Sequence, residues 1–224
     1  MRPVLVPQFD LTQAEAAELQ RELAGRVVSR DALGPVRTVA GADVAYEKNG
    51  ERLFAAIVVL DATTLAVVDQ AAHVERARFP YVPGLFSFRE LPPLLECAHK
   101  LRVVPDLFVC DGQGRAHPRR FGLACHLGVL FDVPAIGCAK QSLVGSHGPL
   151  GASRGSIASI VDGGEVVGAA LRTQDGVQPV FVSVGHRVAL ETACQLILRF
   201  ANRYRLPETT RQADQLVNRL RRAA

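Results

Sequence analysis

The segment FVCDGQGRAHPRR, residues 108–120, ends an apolar run on Asp111, continues through two glycines, and then supplies His117 with Arg115, Arg119 and Arg120. A carboxylate at a strand end, beside a loop that attracts anions, suits a divalent metal bridging it to a negatively charged ligand. Three more carboxylates are candidates for the same chemistry. Asp43 is the one charge inside TVAGADVAY, Glu90 follows Ser87 by three residues, and Asp214 lies in TTRQADQLV. Oxygen donors from separate segments suit Mg²⁺ or Mn²⁺, and two such ions hold both the attacking and the leaving oxygen of a phosphodiester. Each residue also has a purely structural reading. Asp43 would sit on the wet face of a half-exposed strand, Asp111 in an Asp-Gly turn, Glu90 in a capping box with Ser87, and Asp214 on an exposed helix face.

Two cations close apolar runs: Lys140 after PAIGCA and His186 after PVFVSVG. If both runs lie parallel to 106–111, both cations share the edge that carries Asp111. A lysine there would hold a phosphate or stabilise developing charge. His117 would donate to a phosphate or a base, and packed histidine is its structural alternative. In PYVPG (80–84), two prolines stiffen the chain on either side of Tyr81. A stiff aromatic makes a wedge between base steps, and the plainer alternative is a strand-to-helix turn with a half-buried tyrosine.

The elements that must position these groups follow from pattern. Thr12 and Glu15 form a capping-box pair opening a helix over 11–23, with Leu11, Leu19 and Leu23 as its buried stripe. Strands at 38–46, 53–61 and 65–77 are joined by short polar links and predict antiparallel hairpins. A loop at 78–84 leads to a helix at 87–101, whose regular part should start near Pro92 and Pro93, because proline is tolerated in a first turn. Strand 106–111, helix 118–131 and strand 134–140 then alternate as parallel strands with a crossover helix do. Strands at 164–173 and 179–186, a helix at 189–204 and a basic helix from Pro207 complete the chain. This is an α/β order compatible with a ribonuclease H-like mixed sheet, three antiparallel strands followed by parallel ones. It is read as one domain over 1–224.

Composition narrows the function classes. With 224 residues, 48% hydrophobic and 21% charged, the chain has enough apolar material for a sizeable core. No apolar run approaches a membrane span, and the early prolines and Asp10 do not read as a secretion signal. Five scattered cysteines without a C-x-x-C pair point to core packing in a reducing cytoplasm. The net charge of +4 is mild. The arginines at 115, 119 and 120, with Arg203, Arg205, Arg211, Arg219, Arg221 and Arg222, form clusters that fit a polyanionic partner. A solvated helix face explains the C-terminal set equally well.

The blocks VAGADVAY, FPYVPGLFSFRE, PDLFVCDGQGRAHPRR, VPAIGCAKQSLVG, VFVSVGHR and YRLPETTRQAD, in this order from residue 38 to 214, resemble the signature blocks of the endonuclease V family. The resemblance implies a ribonuclease H-like repair nuclease that recognises deoxyinosine in DNA. It implies cleavage of the second phosphodiester bond 3′ to the lesion, with Mg²⁺, or Mn²⁺ in its place. It casts Asp43, Glu90 and Asp111 as catalytic metal-binding carboxylates. Asp214 falls where members carry either a carboxylate or a histidine. Lys140 and His117 match residues around the scissile strand, with Lys140 in a catalytic role. Pro80, Tyr81, Val82, Pro83, Gly84 and Leu85 match a strand-separating wedge, and Gly84, Gly112 and Gly145 match loops whose backbone contacts the flipped base. The expected partner is DNA with deaminated bases, or inosine-containing RNA as for some members, and the expected state is a monomer.

The physics agrees with that substrate. Inosine presents an acceptor oxygen where adenine has an amino donor, so a pocket of N–H donors accepts one and rejects the other. A weakly paired base is also the cheapest to extract. Rival readings are an inosine-specific endoribonuclease and a non-catalytic nucleic-acid-binding module. The module would have lost a carboxylate at 43, 90 or 111, and all three are present.

Overall fold

The computed structural model describes all 224 residues. Helix α1 (Gln13–Ala24) precedes strands β1 (Thr38–Tyr46), β2 (Arg52–Asp61) and β3 (Val67–Arg76). Helix α2 (Phe86–Lys100), strand β4 (Leu107–Cys110), helix α3 (Leu123–Phe131) and strand β5 (Ala135–Ala139) follow. Then come β6 (Ser146–His147), β7 (Ile157–Asp162), β8 (Glu165–Leu171), β9 (Val180–His186), α4 (Leu190–Phe200) and α5 (Glu208–Ala223). The nine strands form one sheet in the order β3-β2-β1-β4-β5-β9-β8-β7-β6. As expected, β1, β2 and β3 are antiparallel, while β4 joins β1 in parallel and β5 joins β4 in parallel.

Alternate residues of the central strands feed two cores, one on each face of the sheet. Ala40, Ala42, Ile57, Val59, Phe108 and Cys110 pack with Leu91, Leu94, Leu95 and Leu127 of α2 and α3. Val39, Val58, Leu60, Leu107, Val109 and Ile136 pack with Ala193, Ile197, Phe200 and Ala213 of α4 and α5. Burial on both faces explains the near-continuous apolar runs of these strands. All five cysteines are free and buried. No helix is long and apolar enough to cross a membrane.

Four expectations need correction. Helix α2 is regular from Phe86, so Pro92 and Pro93 lie in its interior. Interior proline costs about 3 kcal/mol, and the buried stripe of Phe88, Leu91, Leu94, Leu95 and Ala98 offsets it. Helix α3 starts at Leu123 rather than 118, because Arg120 adopts a left-handed backbone (φ 56°) that ends the preceding turn. Helix α4 ends at Phe200 rather than continuing to 204. Strands β6 and β7 carry no apolar run to betray them; Ile160 is the one buried residue of β7. The Thr12–Glu15 capping box forms as expected.

Candidate active site

The parallel register builds one acidic edge. Ala42 of β1 stands opposite Cys110 of β4, and the Asp111 N–H donates to the Ala42 carbonyl at 3.1 Å. Asp43, within β1, and Asp111, just past the end of β4, are therefore neighbours. In β5, Gly137 is opposite Cys110, so the chain emerges three residues later at Lys140. Its Nζ donates to Asp111 Oδ2 at 2.6 Å. Helix α5 approaches from one face: at Gly41 a Cβ would lie 2.0 Å from the Thr209 carbonyl, so only glycine lets the helix seat on β1. That seating brings Asp214 close enough for its charge to act on both Asp43 and Lys140.

Glu90 reaches the cluster from α2. It makes no capping box: Ser87 Oγ pairs with His126 Nδ1 at 3.1 Å, and Glu90 Oε1 accepts from the Tyr46 hydroxyl at 2.6 Å. Burial, reinforced by Asp43 and Asp111, pushes the Glu90 carboxyl up to about 8, against the pull of the Tyr46 hydrogen bond. Burial and then the Asp111 charge push Asp43 up to about 7, although Lys140 pulls the other way. Burial works against the Lys140 charge, but its hydrogen bond to Asp111 and the surrounding carboxylates hold its pKa above the usual value.

No three acidic, histidine or cysteine side chains stand close enough together to chelate an ion as they are. The donor set nevertheless fits a hard divalent cation: every candidate ligand is a carboxylate oxygen, and burial together with the neighbouring carboxylates raises two of its members.

A cavity of about 260 Å³ runs beside the carboxylates, with Glu90, Asp111, Gly112, His117, Gly84 and Gln20 among its lining. Its rim is the proline loop. Tyr81 is 63% exposed there, its ring tilted 35° against that of Phe86 with centroids 4.6 Å apart. Pro80 and Pro83 are exposed and Val82 half-buried, while Leu85 is buried against Phe79 and Phe88. Leu85 thus anchors the loop in the core rather than facing outward.

Gly84 takes a left-handed turn (φ 79°), which aims its carbonyl at three donors. These are His117 Nε2 at 2.9 Å, Arg119 Nη2 at 2.7 Å and Gln20 Nε2 at 3.1 Å. The Arg119 backbone N–H donates to His117 Nδ1, so the imidazole proton sits on Nε2 and points at Gly84. Burial and then the Arg119 charge push His117 down to about 4, leaving it neutral at pH 7. His117 therefore lines the cavity, but its one N–H is committed to the loop rather than to a phosphate.

Other expected groups fall elsewhere. Strand β9 runs antiparallel to β5, which puts His186 opposite Ala135, at the far edge from Asp111. Its Nδ1 accepts from the Val28 N–H and its Nε2 donates to Asp132 Oδ1 at 3.1 Å, so it is a packed staple. Arg115 and Arg120 are tied to Glu165, Arg120 also to Asp162, and Arg119 to Gln20. These three arginines brace the loop and are not a free phosphate-binding patch. Gly145 lies outside the cavity wall, its backbone against Val161.

Two residues of this neighbourhood were not foreseen. Gln20 is buried between Ala16 and Leu23, and a polar residue at that position of an apolar stripe was its one signal. Tyr46 gave none: it ends β1 and meets Glu90 only through the fold.

Comparison with known proteins identifies the family. The family model described as Endonuclease V matches residues 21–215. Endonuclease V of Myxococcus xanthus is 54% identical over 97% of this chain and 93% of its own. The crystal structure of endonuclease V from Streptomyces avermitilis superposes with a TM-score of 0.92, at 50% identity and 97% coverage of both chains. That of Ciona intestinalis endonuclease V, in complex with a 24mer DNA containing an inosine followed by a ribo-adenosine, superposes at 0.82, with 29% identity over 94% of this chain and 98% of that one. A match across nearly the whole length, with every signature block in order, leaves one assignment: the chain belongs to the endonuclease V family.

Proposed function

We propose that this chain is a metal-dependent endonuclease that nicks DNA at deoxyinosine, hydrolysing the second phosphodiester bond 3′ to the lesion. The observation that carries the reading is the convergence of Asp43, Glu90, Asp111 and Asp214 at one sheet edge, beside a cavity under an exposed tyrosine loop. Asp43, Asp111 and Glu90 would hold Mg²⁺ or Mn²⁺, with Asp214 adding charge from α5. When bound, the ion supplies Lewis-acid stabilisation of charge on the phosphate.

The chain's own groups do the rest. Lys140, 46% exposed on Asp111, offers a charge-assisted hydrogen bond to a phosphate oxygen. Tyr81 wedges the base step, and the clamp of Gln20, His117 and Arg119 on Gly84 keeps that loop rigid. The cavity receives the flipped base beside the Gly112 backbone. Cavity and carboxylates are neighbouring parts of one groove, which supports a cut displaced from the lesion. One continuous sheet with a core on each face supports a single domain over the whole chain.

The test uses labelled duplexes with and without one deoxyinosine, in Mg²⁺ and in EDTA. Metal-dependent nicking at the bond immediately 3′ of the lesion's 3′ neighbour is expected. Cutting that survives EDTA, or ignores the lesion, overturns the reading. The ribo-adenosine after the inosine in the Ciona ligand favours a second arm with inosine-containing RNA. Faster cleavage there reassigns the substrate to RNA.

A further inference from the structure

The Glu90 carboxylate makes one hydrogen bond in the chain, accepting from Tyr46. The other candidate carboxylates are positioned differently: Asp43 and Asp111 leave from strands held in register, and Asp111 is also gripped by Lys140. Glu90 instead comes from a separate helix, and a glutamate has one more rotatable bond to fix. Its carboxylate orientation therefore depends on the phenol. A phenolic O–H is protonated at neutral pH and donates.

The same side chain touches the loop. The Tyr46 ring meets Tyr81 edge-on, with centroids 5.8 Å apart and planes at 82°. Arg89 lies over the Tyr46 ring at 5.3 Å and donates through Nη1 to the carbonyl of Phe79, the residue before the proline loop. Tyr46 thus stands between the exposed Tyr81 and the half-buried Glu90, in contact with both.

We propose that Tyr46 is a positioning residue that couples the Tyr81 loop to the Glu90 carboxylate, its ring buttressing the wedge and its hydroxyl aiming the metal ligand. The inference rests on the nuclease reading for the roles of Tyr81 and Glu90. Seating of Tyr81 in a duplex then sets the ring against which Tyr46 packs, and Glu90 follows through the hydroxyl.

The two arms separate by substitution. Tyr46→Phe keeps the ring and removes the hydroxyl; Tyr46→Leu removes both. Mn²⁺ binding to the free protein is measured by calorimetry, inosine-duplex binding in EDTA by fluorescence anisotropy, and nicking as a function of Mg²⁺. Tyr46→Phe should bind Mn²⁺ roughly three- to tenfold more weakly, the net size of one ordinary hydrogen bond. It should bind the duplex within about twofold of wild type, since its ring contact is intact. It should also recover its nicking rate at high Mg²⁺. Tyr46→Leu should lose duplex affinity as well. Unchanged Mn²⁺ affinity in Tyr46→Phe overturns the proposal, and so does a loss of duplex affinity in that variant equal to that of Tyr46→Leu. A wild-type protein that binds Mn²⁺ but leaves the inosine duplex intact overturns the nuclease reading, while calorimetry still decides whether Tyr46 positions Glu90.

Discussion

The two ends of the central strands carry similar residues in opposite electrostatic states. At one end, His186 meets Asp132 and Val28, and both ring nitrogens are satisfied; Arg187 closes the group on Asp132 at 2.8 Å. At the other, Asp43, Glu90, Asp111 and Asp214 crowd together, with Lys140 paired to Asp111 and Arg89 acting on Glu90. The first end is neutralised from within and holds the N-terminal segment to the sheet. The second crowds carboxylates whose mutual repulsion is relieved by protonation or by an outside cation. The difference separates a staple from a site more sharply than residue type does, because both ends pair a basic side chain with an aspartate.

The largest effect should come from the acidic end. Asp111→Asn should cut nicking by on the order of a thousandfold and leave the circular dichroism spectrum unchanged. A loss below about tenfold, read by single-turnover assay, would break the contrast.

Next is the pH response of the metal-free protein. Asp43 and Glu90 are pushed up to about 7 and about 8, so the folded state binds protons that the unfolded state has released. Stability from these groups is present at low pH and is lost as pH rises from the ordinary carboxylate range through about 7 and 8. In EDTA at pH 8, Asp43→Asn should melt roughly 2–4 °C above wild type, and the gap should close at pH 5. A gap that widens toward pH 5 in thermal scans would reverse the sign of the argument.

The sealed end should respond in the opposite currency. His186→Ala should cost about 1–3 kcal/mol in urea unfolding and leave kcat/KM for the inosine duplex within about twofold. A large kinetic effect with unchanged stability would make His186 part of the site after all.

The smallest effect concerns charge at the surface. Arg219 and Arg222 line a shallow groove with Asp214 and carry no ion pair, unlike Arg115 and Arg120. Arg219→Ala should lower duplex affinity by roughly two- to threefold and flatten its salt dependence by about one counterion. Arg115→Ala should lower stability instead. Equal salt slopes for the two variants would erase that distinction.

Much of the fold was legible because its signals are local. The Thr12–Glu15 cap, the β1–β3 hairpins and the parallel β4–α3–β5 unit all follow from short-range spacing and apolar runs. The site was legible where chemistry sits on those signals: Asp43 and Asp111 interrupt apolar strands, and Lys140 ends one. Legibility failed where the partner is distant in sequence. The Ser87 and Glu90 spacing spells a capping box, yet Tyr46, 44 residues away, claims Glu90. His117 and Arg119 read as anion binders until Gly84 and Gln20 accept their hydrogen bonds. His186 failed because strand direction is not written in a strand: its apolar run is the same parallel or antiparallel, and only the β5–β9 pairing reverses its end.

The sequence by itself determined the helices and most of the strands, the acidic residues and their family, because burial pattern and residue chemistry are properties of short segments. Tertiary structure alone decided which charges remain unpaired. An ion pair or a hydrogen bond depends on where two distant segments meet, and here that meeting crowded four carboxylates at one edge and sealed the other.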